Sequence, residues 1–393
     1  MNTSICHLED RIKYDGSVLT TVGHNLYYLS ISSDLSDPVI VDGKSFINLS
    51  SNNYLGLAGD PRLKEAYIDA IRRYGVSMCA TPVAGGYTDF FLAVQQSLSS
   101  FIGVESVLLY PSCYQANNGL FSALAKKEDV VLFDRCAHAS LIQGIRSAGC
   151  RMFPFAHNDM ESLAYLLQRR QDHTQIFVVT ESVFSTEGTI APFRKIYDLC
   201  MGHGAIPVVD DSHGIGVLGS HGRGILEYSG IEDYQGIYTA SLGKALANNC
   251  GVVGGSHALT DYLRYFSAHL VYSTAVAPCV LAGILQTIGI VQREYASLGR
   301  RVYSYHAIIK NALRESGYDI VDSLAPINSI KGGSTEETIR IAKRLYENEI
   351  FCTPFVFPSV PKKEGRIRLI AGANLRESTI ERAVGIFRQM GQS

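Results

Sequence analysis

From about residue 104 onward, short apolar runs rich in β-branched residues alternate with longer stretches whose apolar positions follow a helical period. This alternation predicts an α/β unit with a mostly parallel sheet. The candidate strands are Ser106–Tyr110, Val130–Asp134, Arg151–Phe155, Ile176–Glu181, Ile206–Asp210, residues 236–240 and Gly251–Gly255. Together they predict a seven-stranded sheet. Several of the strands are apolar throughout instead of alternating, as expected where helices cover both faces.

The pattern changes after a long helical stretch from residue 277 to about 316, which ends near Gly317. Mixed strands and helices follow at 327–330, 336–347, 366–370 and 378–390. We therefore expect a large domain over residues 51–290 and a small α+β C-terminal domain over residues 291–393, linked by the long helix. Residues 1–50 are expected to carry a helix and then a hairpin around Val41-Asp42-Gly43-Lys44. No internal repeat or low-complexity segment is found.

Composition narrows the class. A chain of 393 residues with 46% hydrophobic and 18% charged residues is long enough and apolar enough to bury a large core, which excludes a disordered chain. A formal net charge of −2 makes no electrostatic case for nucleic acid or for an anionic membrane surface. The nine cysteines, from Cys6 to Cys352, contain no CxxC pair, so neither a disulfide framework nor a zinc ribbon is expected. That usage fits a reducing cytoplasm, and no metal centre is expected. The N-terminus lacks a basic start followed by an apolar run, so no signal peptide is expected. The most apolar long segment, residues 270–291, is broken by Ser273, Thr274, Pro278 and Gln286, which suits a buried helix better than a membrane span.

Chemistry concentrates where strands end. Lys244 follows the 236–240 strand with small neighbours Ser241 and Gly243; Asp210 closes Ile206–Asp210; His213 comes three residues later; His138 lies just past Val130–Asp134. An amine able to form a Schiff base, a carboxylate able to keep a pyridinium nitrogen protonated and a flat imidazole able to lie against the ring together look like a pyridoxal-phosphate site. Taken singly, each has a plainer reading: an exposed loop lysine, a turn aspartate, an ordinary loop histidine. Pro111-Ser112-Cys113-Tyr114-Gln115 ends a strand and opens a helix, so its free N–H groups could receive a phosphate, although a plain helix cap explains Ser112 equally well. Arg366 and Arg368 share a strand face, and either could grip a carboxylate; a pair of solvated arginines is the alternative.

A competing motif overlaps this region. Gly214-Ile215-Gly216-Val217-Leu218-Gly219 formally matches GxGxxG after a strand. We reject dinucleotide binding, because Ser220-His221-Gly222-Arg223-Gly224 does not open a helix that could face a pyrophosphate, and two aspartates crowd the approach.

In combination these features resemble the α-oxoamine synthase family of fold-type I pyridoxal-phosphate enzymes. The resemblance runs from about residue 39 to the C-terminus. It includes Ser51-Asn52-Asn53-Tyr54-Leu55-Gly56-Leu57, Thr180-Glu181-Ser182-Val183-Phe184-Ser185, Asp210-Asp211-Ser212-His213, Ser241-Leu242-Gly243-Lys244 and Arg366-Ile367-Arg368-Leu369. It implies that Lys244 is the Schiff-base lysine, Asp210 the pyridinium partner, His213 the partner of the phenolic oxygen and His138 the ring-stacking residue. Cys113, Tyr114 and Ser241 match phosphate-contacting positions. Asn52 and Ser185 match positions near cofactor and substrate, and Arg368 matches the carboxylate-binding arginine. Ser273-Thr274 resembles a phosphate contact supplied by a neighbouring subunit, which implies a homodimer with shared active sites.

The resemblance implies condensation of an acyl-CoA with an amino acid, usually with decarboxylation, to an α-aminoketone-type product. The sequence departs from common members at Met78-Cys79-Ala80-Thr81-Pro82, where they usually carry a Gly-Ser-Arg or Gly-Thr-Arg segment, and within Phe90-Phe91-Leu92-Ala93-Val94-Gln95-Gln96. Phe184-Ser185-Thr186-Glu187-Gly188-Thr189-Ile190-Ala191-Pro192 is similar to quorum-sensing amino-ketone and hydroxyketone autoinducer synthases, some of which would use S-adenosylmethionine. Phe355-Val356-Phe357-Pro358-Ser359-Val360-Pro361 is more similar to serine palmitoyltransferase or the glycine-using acetyltransferase. An 8-amino-7-oxononanoate synthase-like enzyme, an aminotransferase on the same fold and a cofactor-binding regulator or silent partner subunit are the other readings; the presence of Lys244, Asp210 and His138 weighs against the last.

Overall fold

The hairpin at the start of the chain forms as its turn residues dictate. In the computed structural model, which describes residues 25–170 and 174–391, strands β1 (Val39–Val41) and β2 (Lys44–Asn48) pair antiparallel with Val41 opposite Lys44. Asp42 and Gly43 both take positive φ, 46° and 76°, which a two-residue turn matched to the twist of its strands requires. The helix expected before the hairpin falls on residues 1–24, outside the described residues.

Two helices, α1 (Pro61–Tyr74) and α2 (Asp89–Ile102), precede the α/β unit. Then come β3 (Ser106–Tyr110), α3 (Cys113–Leu124), β4 (Val130–Asp134), α4 (Ala139–Ala148), β5 (Arg151–Phe155), α5 (Met160–Gln168), β6 (Ile176–Glu181), α6 (Phe193–His203), β7 (Ile206–Asp210), α7 (Ile225–Tyr228), β8 (Ile237–Ser241) and β9 (Gly251–Gly255). All seven expected strands are present; the 236–240 strand is displaced by one residue, so Ser241 itself belongs to it. They form one sheet in the order β3-β9-β8-β7-β6-β4-β5. Only β9 is antiparallel to its neighbours. The carboxyl ends of β4, β6, β7 and β8 therefore meet at one edge, where ligands collect in open α/β sheets.

Both faces of the sheet are covered. Val130, Leu132, Val178, Val209 and Val252 pack into one apolar cluster, whereas Val131, Phe133, Val179, Val208 and Val253 pack into another. This two-sided burial is the physical cause of the unbroken apolar runs.

Helices α8 (His257–Phe266) and α9 (Ala268–Val271) lead to α10 (Pro278–Glu315), a 38-residue helix with proline in its first turn. Its first half contributes Ile284, Ile288 and Val291 to the core of the large sheet, and its second half contributes Tyr305, Ile309 and Leu313 to a separate core. That second core draws on β10 (Asn328–Gly333), α11 (Thr335–Glu347), β11 (Ile350–Phe351), β13 (Gly365–Leu369) and α12 (Glu377–Gly391), with β12 (Thr353–Phe355) paired alongside β13. Strands β10, β13 and β12 form a small antiparallel sheet. The two short strands β11 and β12 escaped pattern reading because one has two residues and the other contains Pro354.

Leu26, Ile47 and Leu49 lie in this second core, and β2 pairs in parallel with β11. We propose that the N-terminal segment up to residue 50 belongs structurally with the small unit of residues 291–393, and that residues 51–290 form the large one. Among the described residues no helix is long and apolar enough to cross a membrane.

Candidate active site

Asp210 ends β7 with Glu181 of β6 opposite it on one side and Thr239 of β8 on the other. Its buried carboxylate accepts the Ser212 backbone N–H at 3.0 Å and the Asn117 side-chain N–H at 2.8 Å, and lies 3.7 Å from the Cys113 thiol. Asn117 stands one helical turn beyond Cys113 on α3, so both project from one face. Ser112 caps that helix by accepting the Gln115 N–H, which leaves the Cys113 and Tyr114 N–H groups without intrahelical acceptors at the helix start. A Cβ at Gly251 would collide with the Ser112 carbonyl and the Cys113 nitrogen; glycine there lets α3 begin against β9.

The ends of β7 and β8 are tied together by Ser212, whose hydroxyl accepts the Ser241 N–H at 2.8 Å and points toward Cys113 Sγ at 3.5 Å. The Ser241 hydroxyl in turn accepts the Gly243 N–H. This sets the turn that carries Lys244. Burial of its amine holds Lys244 below the usual lysine range, against the opposing pull of Asp210, Cys113 and Glu181. Glu181 is pushed well above the usual carboxylate range, by burial first and by Asp210 second.

His138 caps α4: its Nδ1 accepts the Ser140 N–H and faces the Ser140 hydroxyl at 2.8 Å, and the residue is solvent-exposed. Asn117 also reaches that hydroxyl, at 2.9 Å, so one amide spans from Asp210 to the partner of His138. His213 is buried, with Nδ1 2.8 Å from the Tyr54 hydroxyl. Burial raises the Tyr54 phenol above its usual range, so it stays protonated. Burial, Lys244 and Arg368 hold His213 well below the usual imidazole range, so it is neutral.

On β13, Arg366 and Arg368 share a face but not an environment. Arg366 is paired with Glu187 at 2.9 Å. Arg368, 7% exposed, donates from Nη1 to the Ser185 carbonyl at 3.2 Å, lies 4.9 Å from the Phe355 ring and keeps a buried Nε with no partner among the described residues. Asn52 Oδ1 is likewise buried without a partner. The charge of Arg368 is felt at Lys244, His213 and Tyr54, so the four groups lie near one another.

The sequence profile of the family described as aminotransferase class I and II matches residues 44–387. An 8-amino-7-oxononanoate synthase of Trichlorobacter lovleyi is 35% identical, over 94% of this chain and 95% of its own. One of Alkaliphilus metalliredigens is 33% identical, over 90% of each chain. The serine palmitoyltransferase of Sphingomonas wittichii superposes with a TM-score of 0.91 at 25% identity, covering 100% of this chain and 97% of that one. The chain belongs to the aminotransferase class I and II family, as an α-oxoamine synthase.

Pyridoxal 5′-phosphate is the cofactor of this enzyme class, and the residues present suit it. A buried carboxylate, a desolvated amine, an exposed imidazole face and a helix start with free N–H groups match a pyridinium nitrogen, an aldehyde, an aromatic ring and a phosphate. In this α-oxoamine synthase the GxGxxG match has another cause. Residues 214–224 run as turns and bends, not as a helix, and a Cβ at Gly214 would collide with the buried Asp211 carboxylate.

Not every expected residue joins the cluster. Tyr114 is 51% exposed, and Ser273 and Thr274 sit on the surface turn between α9 and α10. No hydrogen bond among the described residues links Ser273 or Thr274 to Asp210, Cys113 or Lys244. The departing segment at residues 78–82 lies beside that turn: the Ala80 carbonyl accepts the Ala275 N–H. Asn117, Ser140, Ser212 and Glu181 were not singled out from sequence. The one available signal was the helical spacing of Asn117 from Cys113.

Proposed function

We propose that this α-oxoamine synthase condenses a fatty acyl-CoA with an α-amino acid and releases the amino-acid carboxylate as CO2, giving an α-aminoketone. The observation that carries this reading is Arg368, a buried guanidinium with no carboxylate partner among the described residues, close enough for its charge to act on the Lys244 amine. Arg368 would anchor the amino-acid carboxylate, with Asn52 and Ser185 beside it. When bound, the cofactor supplies an electron sink for the electron pair left at Cα. Lys244, held below its usual range, takes the Cα proton. Asp210 would hold the proton on the ring nitrogen, neutral His213 would hydrogen-bond the ring oxygen, and His138 would lie against the ring. Cys113, Tyr114 and Ser241 would hold the phosphate.

Two further elements belong to the proposal. Ser273 and Thr274 lie apart from their own cluster, which supports a homodimer in which each chain completes its partner's phosphate site. The eight cysteines among the described residues are all free, in keeping with a cytoplasmic enzyme.

The test is a mass-spectrometric screen of acyl-CoA chain lengths against glycine, alanine, serine, 2-aminobutyrate and S-adenosylmethionine. Free CoA and an aminoketone should appear only when an amino donor is present, and Lys244→Ala should abolish both. Transamination without thioester cleavage would reject the reading. The curated relatives favour a second outcome, an 8-amino-7-oxononanoate synthase-like product, itself an α-aminoketone by name. The Phe184 to Pro192 segment favours 2-aminobutyrate or S-adenosylmethionine and an autoinducer precursor.

A further inference from the structure

The turn that carries His138 holds a second group of chemistry-bearing side chains that the reaction does not use. Asp134 ends β4, Cys136 follows two residues later, and His157 lies two residues past β5; one ligand atom of each lies within 4.8 Å of the others. The Asp134 side chain is fully buried, His157 is mostly buried and Cys136 is exposed, so the group has a solid floor and an open entrance.

The arrangement is held in place by hydrogen bonds within the group, including the Cys136 N–H to Asp134 Oδ1 at 2.8 Å, and by partners around it. His157 Nδ1 faces Asp134 Oδ1 at 3.0 Å, while Nε2 is 2.9 Å from the Thr189 hydroxyl, which fixes the plane of the ring. The ring also packs edge-on against Phe184, with centroids 4.3 Å apart. Asp134 Oδ2 accepts the Asn158 N–H at 2.9 Å, and Asn158 adopts a left-handed φ of 53° in making that bond. Metal-binding histidines and carboxylates are oriented by second partners of this kind.

We propose that Asp134, Cys136 and His157 bind a borderline divalent cation of the Zn2+ class at the rim of the cofactor cleft. Carboxylate, thiolate and imidazole together suit Zn2+ better than the hard ions Mg2+ and Ca2+, which take oxygen ligands. On binding, the metal takes the place of the Nδ1 proton of His157 and of the thiol proton of Cys136, both released to solvent, and Nε2–H remains on Thr189. Three protein ligands leave a fourth position to water. The ion would tie the end of β4 to the end of β5 and so brace the turn bearing His138. No metal was expected from sequence because the cysteines form no CxxC pair; these three ligands come together only in the fold, with Asp134 and Cys136 standing 21 or more residues from His157. The site is independent of the reaction proposed above.

Equilibrium dialysis of the cofactor-loaded enzyme against Zn2+, followed by elemental analysis, tests it. Wild type should retain one zinc per chain and melt at a higher temperature with it. Cys136→Ser should fold like wild type, since Cys136 is exposed, and should lose the zinc. Thr189→Val should weaken binding by about 10–100-fold. X-ray absorption at the zinc edge should show one sulfur at about 2.3 Å among nitrogen and oxygen ligands. Failure of wild type to retain stoichiometric zinc, equal retention by Cys136→Ser, or a zinc shell without sulfur would each overturn the assignment.

Discussion

Asn117 donates its side-chain N–H to Asp210 at 2.8 Å and reaches the Ser140 hydroxyl at 2.9 Å with the same amide nitrogen. Ser140 holds His138 Nδ1 at 2.8 Å. One buried amide therefore links the Asp210 carboxylate, through Ser140, to the His138 imidazole.

Asn117→Ala should remove this bridge and leave Asp210 with one fewer charge-assisted hydrogen bond, a loss of about 1.5–3 kcal/mol. We expect kcat to fall by about 10–100-fold, with weaker cofactor retention. Steady-state kinetics alongside a spectrophotometric cofactor titration would show it. A kcat equal to wild type would remove Asn117 from the site.

Asp210→Asn should cost more activity than His138→Phe. An amide cannot stabilise a protonated ring nitrogen, whereas a phenyl ring can still stack. Both variants should be compared at saturating cofactor, so that binding and rate are separated. The reverse order of kcat would show that stacking, not charge, dominates.

Arg368→Lys should raise the KM of the amino donor by about tenfold or more and leave that of the acyl donor nearly unchanged, because lysine keeps the charge and loses the fork. Arg366→Lys should matter less, since Arg366 already serves Glu187. If the two substitutions raised the amino-donor KM equally, the carboxylate would not be held by Arg368 alone.

Asp211 carries a pH signature. It accepts the Tyr238 hydroxyl at 2.9 Å and the Ile225 N–H at 3.0 Å, and burial pushes its carboxyl up to about 7. A raised folded-state pKa means that the stabilising protonated form is fully present below the unfolded value near 4 and lost as pH rises through 7. Stability should therefore fall across that window, by at most about 4 kcal/mol. Asp211→Asn should flatten that part of the profile, measurable by urea denaturation at pH 5 and pH 8. An unchanged slope in the variant would assign the pH dependence elsewhere.

The sequence by itself determined the sheet and the edge at which chemistry gathers. Apolar runs, strand lengths and the long helix are local properties, and a parallel sheet brings the carboxyl ends of successive strands together whatever the loops do. Asp210, His138 and Lys244 were legible because each follows a strand end in the chain. Tertiary structure alone decided which neighbours complete them. Asn117 and Asp210 are 93 residues apart, and Arg366 and Glu187 are 179 apart. Parity on β13 left Arg366 and Arg368 equivalent; the ion pair with Glu187 distinguishes them. Asp134 and His157 meet only because β4 and β5 lie side by side. Periodicity reports which face of its own element a side chain occupies, whereas its partner is set by how distant elements pack.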